Sequence, residues 1–248
     1  MKIYFFEEFP NNSTLSKLSL VKFPTKLFLA DYSIEGFKLY DKEIRKEYKN
    51  VKELIWWPVL NVDEGYWLSP FSKRKALLRL FHQLMNEKIP ILWDAELPKK
   101  RSLMFTQFFK SFKNKKLIKS FFKHYKGKIY TAEYLEENRY TAKNCLSFDP
   151  KIYGNFKIKM LYSSVHSWMD DNYIKNKLKE LKEDYNNKIL IGLGCLATGM
   201  DGNEKLISPQ NLERDLKLCK EAGISEVVLF RLEGLNKEYV KVIEKFVS

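Results

Sequence analysis

Apolar runs of strand length recur from one end of the chain to the other, separated by longer segments in which apolar positions repeat every three or four residues. The runs are Ile3–Phe6, Lys26–Ala30, Leu54–Trp57, Ile89–Trp93, Lys128–Thr131, Phe156–Tyr162, Lys188–Leu193 and Val227–Phe230. Between them, Glu35–Lys49, Ser72–Asn86, Asp171–Tyr185, Gln210–Ala222 and Asn236–Val247 carry helical periodicity. Ala76, Leu77, Leu80, Phe81 and Leu84 mark one such face. Ser208-Pro209 supplies an N-cap and a proline at the first helical position, and Gly223 supplies the stop. Eight strands alternating with helices predict a closed (β/α)8 barrel, read as one domain over residues 1–248. A doubly wound open sheet is the alternative. Between Leu135 and Gly154 no full helix fits, so irregularity is expected around the fifth and sixth units.

The 248 residues suit one such barrel, and no Gly/Ser- or Pro-rich linker interrupts the alternation. Charge changes the picture at one place. The formal net charge is +13, and Lys99–Lys128 contributes eleven basic residues and no acidic one. Within it Phe105, Phe108, Phe109 and Phe112 fall on one helical face, whose usual use is packing on the barrel with the lysines solvated. The functional alternative is an anionic partner, either nucleic acid or a membrane surface. Cys145, Cys195 and Cys219 are far apart and odd in number, which predicts free thiols in a reducing compartment. The N-terminal apolar run turns acidic after Phe6, too early for a signal-peptide core or a span, so a soluble cytoplasmic protein is expected.

Chemistry concentrates where Ile89-Pro90-Ile91-Leu92-Trp93 ends in Asp94-Ala95-Glu96-Leu97-Pro98. Strand alternation points Asp94 and Glu96 the same way, and adjacent carboxylates raise a pKa within the pair. Barrel active sites lie just past the strands. Those positions hold Glu8, Glu133, Tyr162, Arg231 and Glu233, with Glu64 and Trp67 in the aromatic loop Asn61–Phe71. Aromatic faces at Trp57, Trp67 and Trp93 beside acids suit a polyhydroxylated ligand, a small molecule or oligosaccharide.

Two other chemistries are open on the residues. Gly192-Leu193-Gly194 is not a dinucleotide fingerprint, because Ala197 stands at the third glycine position. Backbone N–H groups near Gly199, helped by Arg231, would instead suit a sugar phosphate, as in an isomerase or aldolase. Glu64, Glu96, Glu133 and Glu233 form a possible divalent-metal set, although no cofactor is expected on the main reading. Nucleophile, Walker and zinc motifs are absent.

Leu92-Trp93-Asp94-Ala95-Glu96-Leu97-Pro98 resembles the end of the fourth-strand motif of chitinase-type (family 18) glycoside hydrolases. Lys159-Met160-Leu161-Tyr162 is similar to that family's sixth-strand Met-x-Tyr, Lys188–Leu193 to its seventh strand, and Val227–Phe230 to its eighth. The resemblance implies Glu96 as general acid, Asp94 positioning the substrate's acetamido group and Tyr162 hydrogen-bonding it. In such enzymes the acetamido oxygen is the nucleophile. The family's earlier aspartates on the fourth strand correspond here to Ile89 and Leu92, and Trp57-Pro58 replaces its S-x-G-G.

Overall fold

In the computed structural model, which describes residues 1–166 and 168–247, the apolar runs are eight parallel strands closed in chain order. They are β1 (Lys2–Glu7), β2 (Thr25–Asp31), β3 (Val51–Pro58), β4 (Ile91–Asp94), β5 (Ile129–Tyr134), β6 (Phe156–Leu161), β7 (Ile189–Gly194) and β8 (Glu226–Phe230). Closure selects the (β/α)8 barrel over the open sheet. The helices are α1 (Asn12–Ser16), α2 (Ile34–Glu47), α3 (Arg74–Leu84), α4 (Leu103–Thr106) and α5 (Phe108–His124). They continue with α6 (Arg139–Lys143), α7 (Pro150–Tyr153), α8 (Asp171–Tyr185), α9 (Pro209–Glu221) and α10 (Lys237–Glu244). Two short helices, α6 and α7, stand where the sequence predicts irregularity.

Two compact units make up the chain. Met1–Leu29, Asp41–Leu54 and Ile158–Ser248 form one; Ala30–Tyr40 and Ile55–Lys157 form the other. In the first, β1 pairs with β8 (Phe5↔Leu229) and with β2 (Phe5↔Leu27), and β7 pairs with β8 (Leu193↔Leu229). Helix α9 opens as its sequence dictates: Ser208 Oγ accepts from Asn211 N at 3.2 Å and Pro209 occupies the first turn. Asp170 caps α8 in the same way, accepting from Tyr173 N at 2.8 Å, and α8 buries Ile174, Leu178 and Leu181.

In the second unit β3 pairs with β4 (Trp56↔Ile91) and β4 with β5 (Asp94↔Ala132). Trp56 stacks on Phe37 of α2 and donates from Nε1 to Asp31 O at 3.1 Å. Helix α5 departs from expectation. Its packed face is Ser111, Asn114, Ile118 and Phe122, while Phe105, Phe108, Phe109 and Phe112 are exposed. A polar anchor sets this phase. Asn114 Nδ2 donates to Pro70 O at 2.8 Å and Ser72 O at 3.1 Å, and its Oδ1 accepts from Arg74 at 3.1 Å. Turning the phenylalanines inward would strand that buried amide without partners.

Candidate functional site

The end of β4 sorts its side chains between two faces. Trp93 points out of the barrel into an aromatic cluster of Phe81, Phe121, Phe122 and Phe148, with ring centroids 5.3–6.4 Å away. Leu92 and Asp94 therefore share the inner face. Ala95 N donates to Ala132 O at 2.9 Å, which prolongs the strand-like path and brings Glu96 to the same side as Asp94. Asp94 is 3% exposed, whereas Glu96 is only partly buried. The aromatic loop closes over this end, since Leu68 N donates to Asp94 O at 2.9 Å.

Register with β5 brings a third group. Residues paired across parallel strands face the same way, so Asp94↔Ala132 places Tyr134 on the inner face. Leu97 N donates to Tyr134 Oη at 3.2 Å. Burial pushes the phenol's pKa well above its usual 10, and the charges of Glu96 and then Asp94 push it further. The Leu97 N–H and Arg101 oppose them. Tyr134 thus stays protonated at neutral pH and keeps a proton to donate. Trp57 also lies on the inner face, one residue beyond the outward Trp56. The end of this unit can orient a polar ligand with Asp94 and Tyr134 and exchange a proton through Glu96.

Several expected ligand contacts are committed elsewhere. Trp93 is a core residue, fully buried, and not a platform. Glu133 faces outward beside it: its carboxylate accepts from Thr131 Oγ1 at 2.7 Å and Phe148 N at 3.0 Å, and pairs with buried Lys157 at 3.2 Å. Glu64 forms a two-pronged pair with Arg79, at 3.0 and 2.7 Å, which holds its carboxyl below the ordinary range. Trp67 is buried edge-on against Tyr66 at 5.4 Å. The loop Asn61–Phe71 is therefore packed over the core. Gly65 adopts φ +140, with Ser72 so close that a Cβ would meet its Oγ at 2.7 Å.

In the first unit Arg231 is similarly occupied. Its Nη1 donates to Glu7 at 2.7 Å, Nε to Thr198 O at 2.8 Å and Nη2 to Glu233, and Phe9 lies 4.8 Å from the guanidinium. Glu7 is fully buried and also accepts from Phe9 N and Glu233 N, both at 2.9 Å. Burial nevertheless raises its pKa, with Arg231 and the two N–H groups working against the rise. Glu8 accepts from Met200 N at 3.1 Å, and a Cβ on Gly199 would stand 2.7 Å from Glu8 Oε2. A carboxylate thus sits where the phosphate was expected, and Arg231 is not available to help such a ligand. Tyr162 packs at 5.7 Å on Phe230. Among the described residues no three His, Cys, Asp or Glu side chains gather as a metal-holding group.

Tyr134 is the residue that sequence reasoning missed. Its signal was the alternation Tyr130-Thr131-Ala132-Glu133-Tyr134, in which Thr131 and Glu133 share the Trp93 side.

No family model and no curated protein matches the chain. Solved structures do. The glycoside hydrolase domain of PgaB (BpsB) from Bordetella bronchiseptica superposes with a TM-score of 0.60 at 10% identity, covering 100% of this chain and 98% of that one. The chitinase ICChI from Ipomoea carnea gives 0.56 at 10%, covering 100% of both chains. The 3-keto-D-glucoside 4-epimerase YcjR from E. coli gives 0.53 at 12%, covering 99% and 98%. At these identities the likeness is one of fold, and it includes chitinase-type barrels.

Proposed function

We propose that the chain acts on a carbohydrate, with the inner-face trio Asp94, Glu96 and Tyr134 as its chemical groups. The observation that carries this reading is their convergence at the strand ends, two carboxylates and a neutral phenol on one face. Its barrel resembles in fold both a glycoside hydrolase domain and a chitinase. Glu96, the more accessible acid, donates the proton to the departing glycosidic oxygen. Asp94, deeper, orients the reacting group of the sugar, and Tyr134 hydrogen-bonds it. For a 2-acetamido sugar the neighbouring acetamido oxygen attacks the anomeric carbon as the glycosidic bond breaks. Water then opens the resulting ring with Glu96 acting as base. Trp57 supplies an apolar face. Leu92, buried beneath Asp94 on the inner face, leaves no carboxylate there to share a proton, a feature that favours slow turnover.

Aryl N-acetylglucosaminides and N-acetylglucosamine oligomers test the reading, with and without chelator. Chelator-resistant cleavage that falls by about two orders of magnitude or more in Glu96→Gln is expected. Sugar-dependent thermal stabilisation without cleavage would reduce the proposal to a sugar-binding barrel. No response to any sugar would overturn it.

A further inference from the structure

The exposed phenylalanines of α4 and α5 are an arrangement that folding alone does not require. Phe105 and Phe109 are 85% and 84% exposed, and Phe108 and Phe112 are 51% and 55% exposed. Phe108, Phe109 and Phe112 form a contiguous ridge, with Phe108 edge-on to Phe109 at 5.6 Å and to Phe112 at 5.8 Å, and Lys115 lies over Phe112 at 5.3 Å. Apolar clusters of this kind mark surfaces that meet something apolar. The same exposed side of α5 continues into Lys116, Lys119 and Lys123, and Lys110 and Lys113 flank the ridge. These five lysines form no ion pair among the described residues, and no acidic residue occurs between Lys99 and Lys128.

We propose that α4 and the N-terminal half of α5 dock on an anionic lipid bilayer, phenylalanines among the acyl-chain boundary and lysines against the headgroups. The charge is complementary to such a surface, and the pairing of bulky apolar with cationic side chains is what an interfacial helix presents. Nucleic acid fits less well, since it would match the lysines but leave the phenylalanine ridge in water. The helix stays on the protein during docking, because Asn114 and Ile118 hold its other face. The ridge is reached from Asp94 through Ala95–Ser102, and helices that follow a barrel strand begin at its C-terminal end. Docking would therefore present the β4 end to ligands carried at the membrane surface. The proposal stands independently of the sugar chemistry.

Sedimentation of the full chain with phosphatidylcholine vesicles, with and without about 30% phosphatidylserine, tests it. The anionic vesicles should bind at least about tenfold more protein, since each lysine at such a surface is worth about fivefold. Phe105→Ser/Phe109→Ser and, separately, Lys110→Glu/Lys113→Glu/Lys116→Glu should each lose most binding. All of these positions are exposed, so thermal midpoints should be unchanged, which separates lost docking from lost folding. No binding to anionic vesicles would overturn the proposal, as would binding insensitive to the phenylalanine pair. Association of copies through the ridge without vesicle binding, or tight duplex binding that survives the phenylalanine changes and displaces vesicles, would also overturn it.

Discussion

Two carboxylate clusters at strand ends read alike in the sequence and are built differently. At the β1 and β8 ends, Glu7 and Glu233 share Arg231, whose guanidinium donates to both and to Thr198 O. At the β4 and β5 ends, Asp94 and Glu96 stand with each other and a phenol on the inner face, and Glu96 is only partly buried. The first arrangement is a clasp. The two are sorted by partner: outward Glu133 and the clasp's Glu7 are held by buried cations, whereas Asp94 and Glu96 lie beside a phenol whose pKa they raise.

The largest expected effects break that comparison on its buried, partnered side. Trp93→Ala should cost about 3–5 kcal/mol in urea unfolding, because it empties a cluster of four phenylalanines. A loss below 1 kcal/mol would place Trp93 outside the core. Arg231→Met should cost a similar amount, about 3–5 kcal/mol at pH 7, by leaving Glu7 buried without its cation. Its pH dependence has a definite sign. Glu7 already titrates above its ordinary 4.5, so the folded state holds the proton more tightly and stability falls as pH rises through that window. Without Arg231 the pKa rises further, so the deficit of the variant should shrink toward pH 4.5 and widen above it. Unfolding at pH 5 and 7.5 checks this, and a deficit independent of pH would contradict the clasp. Glu64→Ala is the smallest, about 0.5–1 kcal/mol, since its partner Arg79 is at the surface. Its contribution is present above the ordinary Glu value of 4.5 and lost as pH falls through the depressed folded value, which acid unfolding would show.

The barrel was legible because eight apolar runs and their intervening helices repeat without interruption, and strand limits fall within a few residues of expectation. The same alternation places Asp94 at the last residue of β4, with Glu96 two residues beyond it. Glu133 and Trp93 stand at strand ends but on the outward parity: each lies one residue from an inner-face neighbour, Tyr134 or Asp94. The phase of α5 was not legible at all. Hydropathy favours burying Phe105, Phe108, Phe109 and Phe112, and only the tertiary bonds of Asn114 to Pro70 O, Ser72 O and Arg74 overrule it. Glu64 and Trp67 were expected at the ligand because aromatic loops usually bind. Here the loop is held down by Ser72 Oγ, which accepts from Ser69 N at 3.1 Å and donates to Trp67 O at 3.0 Å.

The most direct measurement is the thermal midpoint of wild type, Glu96→Gln and Arg231→Met, each with and without N-acetylglucosamine oligomers. Glu96→Gln should keep its midpoint and change its ligand response, and Arg231→Met should lose midpoint while the folded fraction still responds to sugar. A Glu96→Gln protein that unfolds early but responds like wild type, or an Arg231→Met protein that keeps its midpoint and loses the response, would contradict these roles.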